Sequence, residues 1–116
     1  MRYGIVGSRR RTDEASIRAF VRELPEGSTV VSGGAKGPDS WATSEARKCG
    51  LEVVEHLPDL RGTRNRIEAT ERYYARNRLI AQESDVVVAF VAPDRRGGTE
   101  NTIRHAKELG VPVWLR

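Results

Sequence analysis

Short apolar runs alternate along the chain with longer segments in which apolar positions recur every three or four residues. We interpret five short runs as buried β-strands: residues 3–6, 29–32, 51–56, 85–91 and 113–115. The run at 85–91 is continuously apolar after its first residue, which is typical of a central parallel strand covered on both faces. Between the first two strands, Ile17, Phe20, Val21 and Leu24 follow the spacing of one helix face and predict an amphipathic helix.

Three further helices are predicted from their apolar spacing and end signals. One follows the glycine-rich segment 33–39 and runs to Cys49. The stretch 65–83 contains no glycine or proline, and the last helix starts near Thr99 and stops at Gly110. We expect Cys49 to be a small core residue, because it shares a helical stripe with two alanines.

Strands and helices alternate strictly in this prediction, which gives the order β-α-β-α-β-α-β-α-β. Such alternation predicts an α/β domain over residues 1–116, a Rossmann-like three-layer sandwich whose five-stranded parallel sheet carries helices on both faces. Right-handed crossovers favour the strand order 3-2-1-4-5. In that order strands one and four are neighbours, and the winding direction reverses between them.

The composition fits one folded domain, with 116 residues of which 38% are hydrophobic and 31% charged. The single cysteine excludes an internal disulfide bond and a thiolate zinc cluster. No apolar run is long enough to span a membrane. No signal peptide is recognised at Met1, so we expect a cytoplasmic protein. His56 and His105 are isolated, and we expect neither a metal site nor a cofactor.

The formal net charge is +4, and 17 of the 20 basic residues are arginines. Guanidinium groups pair well with the phosphates of nucleotides and nucleic acids. A general preference for arginine codons would give the same composition, and the arginines are spread along the chain rather than clustered. The charge therefore permits a phosphate-bearing ligand without indicating where it binds.

Glycine-rich segments follow strands one, two and four. Their residues are Gly7, Ser8 and Arg9; Ser32, Gly33 and Gly34 with the nearby Lys36; and Gly97, Gly98 and Thr99. The segments after strands one and four should meet at the winding reversal, where open parallel sheets bind ligands. Glycine lets an anion approach backbone amides, and the helix that starts near Thr99 would direct its positive end there.

Each glycine segment alone could serve only backbone geometry. The convergence of three such segments, with basic neighbours, favours an anionic ligand. Neither the dinucleotide fingerprint G-x-G-x-x-G nor a P-loop is present, so we do not expect ATP hydrolysis.

The long third helix carries Asn77 on the stripe of Tyr73 and Ile80. A carboxamide facing the core needs hydrogen-bond partners, so Asn77 could hold the strand-one or strand-four loop through backbone groups, or it could face solvent at the helix end. Arg76 and Arg78 flank it and could reach a ligand, or they could be ordinary surface charges.

Four motifs, GSR after strand one, SGGAKGPDSWA after strand two, RN in the third helix and RGGTENTIRHA after strand four, resemble the SLOG superfamily. That group joins the Smf/DprA DNA-processing proteins with the LOG phosphoribohydrolases, and this chain most resembles the small stand-alone YspA/YpsA-related SLOG domains. The resemblance implies a Rossmann-like domain that binds a nucleotide or nucleotide derivative between the three glycine segments. It places Asp39 near the site, to bind a ribose hydroxyl or to cap its helix, and it implies a homodimer.

The LOG hydrolases carry P-G-G-x-G-T-x-x-E, whose glutamate works with an arginine to cleave an N-glycosidic bond. Here Gly98 and Thr99 match the G-T, but Thr102 stands in place of the glutamate. Glu100 is the nearest acid, and Arg78 or Arg76 could match the arginine.

Three functions remain open from the sequence. The leading hypothesis is a module that binds a nucleotide or nucleotide derivative, for instance as a sensor. The second is a LOG-type nucleoside-monophosphate phosphoribohydrolase that uses Glu100 and Arg78. The third is DprA-like binding of single-stranded nucleic acid, which the alternation of basic with acidic residues and the lack of clear aromatic platforms disfavour.

Overall fold

The computed structural model describes all 116 residues and contains five strands and four helices. In chain order these are β1 Arg2–Gly7, α1 Glu14–Arg22, β2 Thr29–Ser32, α2 Pro38–Lys48, β3 Glu52–Glu55, α3 Arg66–Glu83, β4 Val86–Phe90, α4 Gly98–Glu108 and β5 Val113–Leu115. All strand pairs are parallel, and the sheet order is β3-β2-β1-β4-β5. The predicted fold class and strand order are therefore confirmed.

The chain reverses its winding between β1 and β4, which pair from Tyr3–Val86 to Gly7–Phe90. Every residue of β4 is buried, as its continuous apolar sequence predicts for a strand covered on both faces. The carboxyl ends of β1 and β4 therefore lie side by side at one edge of the sheet, with the two glycine segments that follow them.

Alternation along each strand divides the core into two layers. Ile5 and Val88 pack with α1 and α2 on one face of the sheet. Val6 and Val87 pack on the other face with residues of α3 and α4. The layers differ because successive side chains of a strand point to opposite faces. None of the four helices combines the length and the apolar character that crossing a membrane requires.

Two details differ from the sequence interpretation. Cys49 is exposed and not a core residue. Helix α2 ends at Lys48, so Cys49 lies at the C-cap, beyond the turns that carry the buried alanines. Gly7 is the last residue of β1 rather than the start of the loop. A methyl group at Gly7 would lie 2.5 Å from Pro38 Cβ, so this glycine permits β1 and the start of α2 to touch.

Gly4 provides a test of how closely β1 packs against the end of α3. A methyl group at this position would collide with the side chain of Ser84, whose hydroxyl donates to the Ile80 carbonyl at 2.6 Å. We expect Gly4→Ala to lower the free energy of unfolding by about 1–3 kcal/mol, the usual cost of overpacking.

The measurement is urea denaturation of Gly4→Ala, Ser84→Gly and the double variant. When the Ser84 side chain is removed, the new methyl group makes only an ordinary contact with Ile80. The double variant should therefore lose less free energy of unfolding than the two single variants lose together. Strict additivity would contradict the proposed contact.

Candidate functional site

A cavity of about 420 Å³ lies at the carboxyl edge of β1 and β4, within the size range of small-ligand pockets. We call it the main cavity. Of the predicted site residues, nine line it: Gly7, Ser8, Arg9, Asp39, Arg76, Asn77, Gly97, Gly98 and Thr99. A second hollow of about 330 Å³, the side cavity, is lined by Gly33, Gly34 and Lys36 and shares Arg9, Ala35, Tyr73 and Arg76 with the main cavity.

Helix α4 begins at the main cavity without a side-chain cap. Its N-cap residue is Gly97, with φ 104°, in a region that glycine alone adopts readily. The N-terminus of α3, by contrast, is capped by Asn65, which accepts from the Glu68 amide at 2.9 Å. The first amides of a helix have no partners within it, so those of α4 are open to an anion in the main cavity.

Gly98 and Thr99 also leave the first turn of α4 accessible from the main cavity. Gly98 does not have a positive φ, and the nearest atom to a methyl group placed on it would be Asn77 Nδ2, at 3.9 Å. Backbone geometry therefore does not require glycine at Gly98. The Thr99 side chain makes no hydrogen bond within the protein and lies at the cavity wall, where its hydroxyl can serve a ligand.

The segment after β1 offers fewer amides than its sequence suggests. The Ser8 amide donates to the Phe90 carbonyl at 3.0 Å, and the Ser8 hydroxyl accepts from the Arg10 amide at 3.2 Å. Ser8 therefore ties the β1 loop to the end of β4. Its contribution to the cavity is to shape the wall, while the open amides come mainly from α4.

Asn77 is 6% exposed and connects α3 to the start of α4. Its Nδ2 donates to Asn101 Oδ1 at 3.1 Å and to the Gly98 carbonyl at 3.4 Å. Of the two alternatives for this residue, the structure therefore favours the one in which it holds the strand-four loop.

Arg76 reaches in the opposite direction across the sheet edge. Its Nη1 donates to the Gly33 carbonyl at 2.6 Å and to the His56 carbonyl at 3.3 Å, while Nε donates to Asn77 Oδ1 at 2.9 Å. The guanidinium also lies over the Tyr73 ring, 5.6 Å from its centroid. Burial lowers the pKa of Arg76, and the charge of Asp39 opposes that change. A side chain on Gly33 would meet this guanidinium at 2.6 Å.

Asp39 is a buried carboxyl group at the cavity wall, 6% exposed. It does not occupy the N-cap position of α2, which is Gly37; instead its Oδ2 accepts from the Ala35 amide at 3.3 Å. Burial raises the pKa of Asp39 to about 6, against the opposing effects of the Ala35 amide and the Arg76 charge. A carboxyl group in this setting can accept from a hydroxyl of a bound ligand.

The basic residues around the two cavities are mostly free of ion pairs. Arg10 pairs with Asp94, but no acid lies within ion-pair distance of the other four, which are Arg9, Lys36, Arg76 and Arg96. Elsewhere many arginines are paired, as in the two contacts of Glu45 with Arg18 and Arg22. Unpaired positive charge therefore surrounds the cavities.

The proposed catalytic pair does not meet in the main cavity. Glu100 accepts from Arg95 at 2.8 and 3.0 Å, and Arg78 is exposed, 4.0 Å from Glu108. Neither lines the cavity, because Glu100 turns toward the β4 loop and Arg78 lies on the outer side of α3. Thr102 is buried in the core, where its hydroxyl donates to the Gly98 carbonyl at 3.3 Å.

Ser32 also lies outside both cavities. It is completely buried at the end of β2, which makes it part of the floor beneath the β2 loop. No group of His, Cys, Asp and Glu side chains is arranged to hold a metal ion.

Tyr73 and Tyr74 are the site residues that sequence reasoning missed. Both line the main cavity, and Tyr74 is 45% exposed. They precede Asn77 by four and three residues, and this spacing places all three on neighbouring positions of one helix surface. The spacing from Asn77 is the available signal, because one of the two interpretations of Asn77 placed it against the glycine segments.

The buried carboxyl group gives a test of the site's electrostatics. The pKa of Asp39 in the folded state lies above the ordinary value of 3.8, so the fold favours the protonated carboxyl group. The contribution of Asp39 to the free energy of unfolding is therefore complete below about pH 4 and is lost as the pH rises through about 6. The loss by pH 7 amounts to roughly 3 kcal/mol at 1.36 kcal/mol per pKa unit. Urea denaturation from pH 4 to pH 7 should therefore show the wild type losing stability relative to Asp39→Asn, which keeps an acceptor oxygen without titrating.

A stability difference between the two proteins that stays constant over this range would show that Asp39 titrates as an exposed aspartate does. Other carboxyl groups cancel in the comparison, because both proteins contain them.

Comparison with solved structures relates the fold to known proteins. The chain is similar to DNA processing protein A (DprA) from Streptococcus pneumoniae, with a TM-score of 0.80 and 23% identity over 98% of this chain and 49% of the DprA chain. It is also similar to the C-terminal domain of PF1911 hydrogenase from Pyrococcus furiosus, with a TM-score of 0.55 and 18% identity over 98% of this chain and 89% of that domain. No protein-family model and no curated protein matches the chain.

The chain spans about half the length of the DprA chain. At these identities the likeness establishes the fold alone, a DprA-like Rossmann-type domain, and the SLOG resemblance stays a prediction. The finer placement among the YspA/YpsA-related domains stays a prediction.

Proposed function

We propose that this chain binds a nucleotide or nucleotide-derived molecule in the main cavity. The observation that carries the proposal is the meeting, in one cavity, of the uncapped start of α4 with two tyrosines on the facing surface of α3. An uncapped helix start attracts a phosphate, and an aromatic ring offers a face for a base.

The phosphate is assigned to the segment from Gly97 to Thr99. The open amides and the Thr99 hydroxyl supply donors there, and the unpaired Arg96 supplies charge. Arginine binds phosphate with two parallel hydrogen bonds and remains charged at any physiological pH.

The sugar and base are assigned to the opposite part of the cavity. Asp39 lines it between the β2 and β1 segments and can accept from a ribose hydroxyl, while Tyr73 and Tyr74 can stack on the base. A deoxyribose ligand would lack one of the donors available to Asp39.

Binding without turnover is favoured over glycoside hydrolysis. The glutamate of the hydrolase motif is replaced by the buried Thr102, and Glu100 is held by Arg95 outside the cavity. The hydrolase that uses Glu100 and Arg78 is therefore the less supported of the two hypotheses. A module that binds its ligand unchanged suits a sensor.

Calorimetric titration with AMP, GMP, CMP and UMP tests the proposal. We expect at least one to bind, and Gly98→Ala to weaken that affinity about tenfold, because the methyl group would occupy the approach to the α4 amides while disturbing little else. Arg96→Ala should weaken binding similarly, by loss of a charge-assisted contact. The matched control is Arg104→Ala, which removes an exposed arginine of α4 outside the cavity.

Absence of binding by all four nucleotides would exclude a mononucleotide ligand, and absence of binding by dinucleotides of the same bases as well would overturn the proposal. Equal losses in the Arg96 and Arg104 variants would show that the attraction comes from the overall charge and not from this site.

Binding of single-stranded nucleic acid is a second candidate. It is favoured by the fold shared with a DNA processing protein and by the exposed Tyr74 beside unpaired cations. The exposure of Tyr74 supports this candidate, against the expectation from sequence that clear aromatic platforms are lacking.

The two candidates differ in their dependence on salt. If a strand binds, the affinity of a fluorescent dT12 oligonucleotide should fall steeply with salt, with a slope of about −0.7 for each phosphate contacted, and Tyr74→Ala should lower it by about 1–3 kcal/mol of stacking energy. An affinity for dT12 no greater than that for a single nucleotide would exclude this candidate.

A further inference from the structure

We infer that the ligand continues from the main cavity into the side cavity, where a second phosphate-bearing unit binds against Lys36 and the β2–α2 segment. This inference rests on the proposed function, because it extends the same site.

The two cavities adjoin, and the residues common to both linings form the wall between them. They share Arg9, Ala35, Tyr73 and Arg76, so one molecule that passes over these residues enters both. The main cavity lies at the ends of β1 and β4, and the side cavity lies over the segments that follow β2 and β3. Ligands with two linked units lie across such an edge in open parallel sheets.

The wall between the cavities is positively charged on its ligand side. Arg76 belongs to it, with its guanidinium held by the Gly33 and His56 carbonyls, and so does Arg9, which has no ion-pair partner. A linking phosphate that crosses this wall would pass two arginine side chains, which is a favourable setting for its charge.

The side cavity also has unsatisfied positive charge. Lys36 is exposed and has no acidic partner. Two acids lie near this segment, and neither forms an ion pair with Lys36: Asp39, whose Oδ2 accepts from the Ala35 amide at 3.3 Å, and Glu55, whose Oε2 would lie 3.3 Å from a methyl group on Gly34. Glu55 is paired with Arg47 at 2.9 Å, so its charge is already balanced and the charge of Lys36 remains available.

The far wall of the side cavity is apolar. Leu57 is 68% exposed and lies directly over Gly34, where a methyl group would come within 2.7 Å of its Cδ2. Pro58 continues this surface. Apolar surface next to an unpaired cation suits a ligand in which a sugar or base is attached to a phosphate, because each part then has a contact. A free inorganic ion would contact the cation alone.

The chemistry required is therefore two nucleotide-like units joined through phosphate. Two sources provide it: a free dinucleotide joined by pyrophosphate, or two consecutive nucleotides of a single strand. Both place one unit on the tyrosines and the other against Leu57, with the linking phosphate over Arg9 and Arg76.

The experiment compares three adenosine ligands by calorimetry on the full chain: AMP, the pyrophosphate-linked dinucleotide diadenosine diphosphate, and the 5′-phosphorylated dinucleotide pApA. The corresponding guanosine, cytidine and uridine ligands are included, since the base is not specified. We expect at least one two-unit ligand to bind tenfold or more tightly than its monophosphate.

Lys36→Ala should remove most of this gain and leave the monophosphate affinity within twofold of wild type. The control is Lys48→Ala, at the other end of α2 and in neither cavity, which should change neither affinity. Both positions are exposed, so folding of the variants is not at risk; thermal melting verifies it.

The outcomes are separable. A gain limited to diadenosine diphosphate identifies a free dinucleotide, and a gain limited to pApA identifies a strand; either supports the inference. Monophosphate binding without any gain, or a gain that survives Lys36→Ala, overturns the inference and leaves the proposed function standing. No binding by any ligand overturns both.

Discussion

The two adjacent side chains Arg76 and Asn77 set the geometry on which both cavities depend. They project from one turn of α3 toward opposite sides of the sheet edge and are joined to each other by a hydrogen bond. Arg76 holds the carbonyls that follow β2 and β3, and Asn77 holds the start of α4. Because buried polar groups without partners are costly, displacing either side chain would leave several groups unpaired. The loops around the cavities are therefore fixed from α3 before any ligand arrives, which lowers the ordering cost of binding.

The glycines at the sheet edge serve two different purposes. Gly97 has φ 104°, so its backbone conformation requires glycine, and Gly7 and Gly33 leave room for Pro38 and for the Arg76 guanidinium. Gly98 has neither requirement, since its φ is ordinary and the space beside it is open. A glycine in a helical first turn gives up stability that alanine would provide. The free approach to the α4 amides offers a physical reason for accepting that loss at Gly98.

The sequence was sufficient for the fold because its signals were local and agreed with one another. The continuous apolar run of β4, the alternating elements and the glycines at helix ends all favoured one topology. The site was harder to predict because it depends on the direction of side chains. The spacing along α3 predicted that Asn77 lies on the buried stripe. The pairing of Glu100 with Arg95 and the outward position of Arg78 depend instead on the course of the β4 loop and α3, which spacing does not give. Tyr74 was not assigned to the site from the sequence, because its spacing from Asn77 was the one available signal and does not distinguish a ligand contact from a packing or interface residue.

The distribution of ion pairs says more about function than the net charge does. A formal charge of +4 is small, and charges separated by more than a Debye length of about 8 Å act weakly through water at physiological salt. What matters at the site is whether each cation near it already has an acidic neighbour. Arg18, Arg22 and Arg47 do, and those arginines stabilise contacts between elements. Apart from Arg10, the cations of the two cavity walls form no ion pair, although the charge of Asp39 acts on Arg76, so an incoming phosphate need not break an ion pair. Cations without an ion pair also occur away from the cavities, for instance Arg66, Arg104 and Arg116, so the cavity cations are distinguished by their convergence on one edge of the sheet and not by the lack of partners alone.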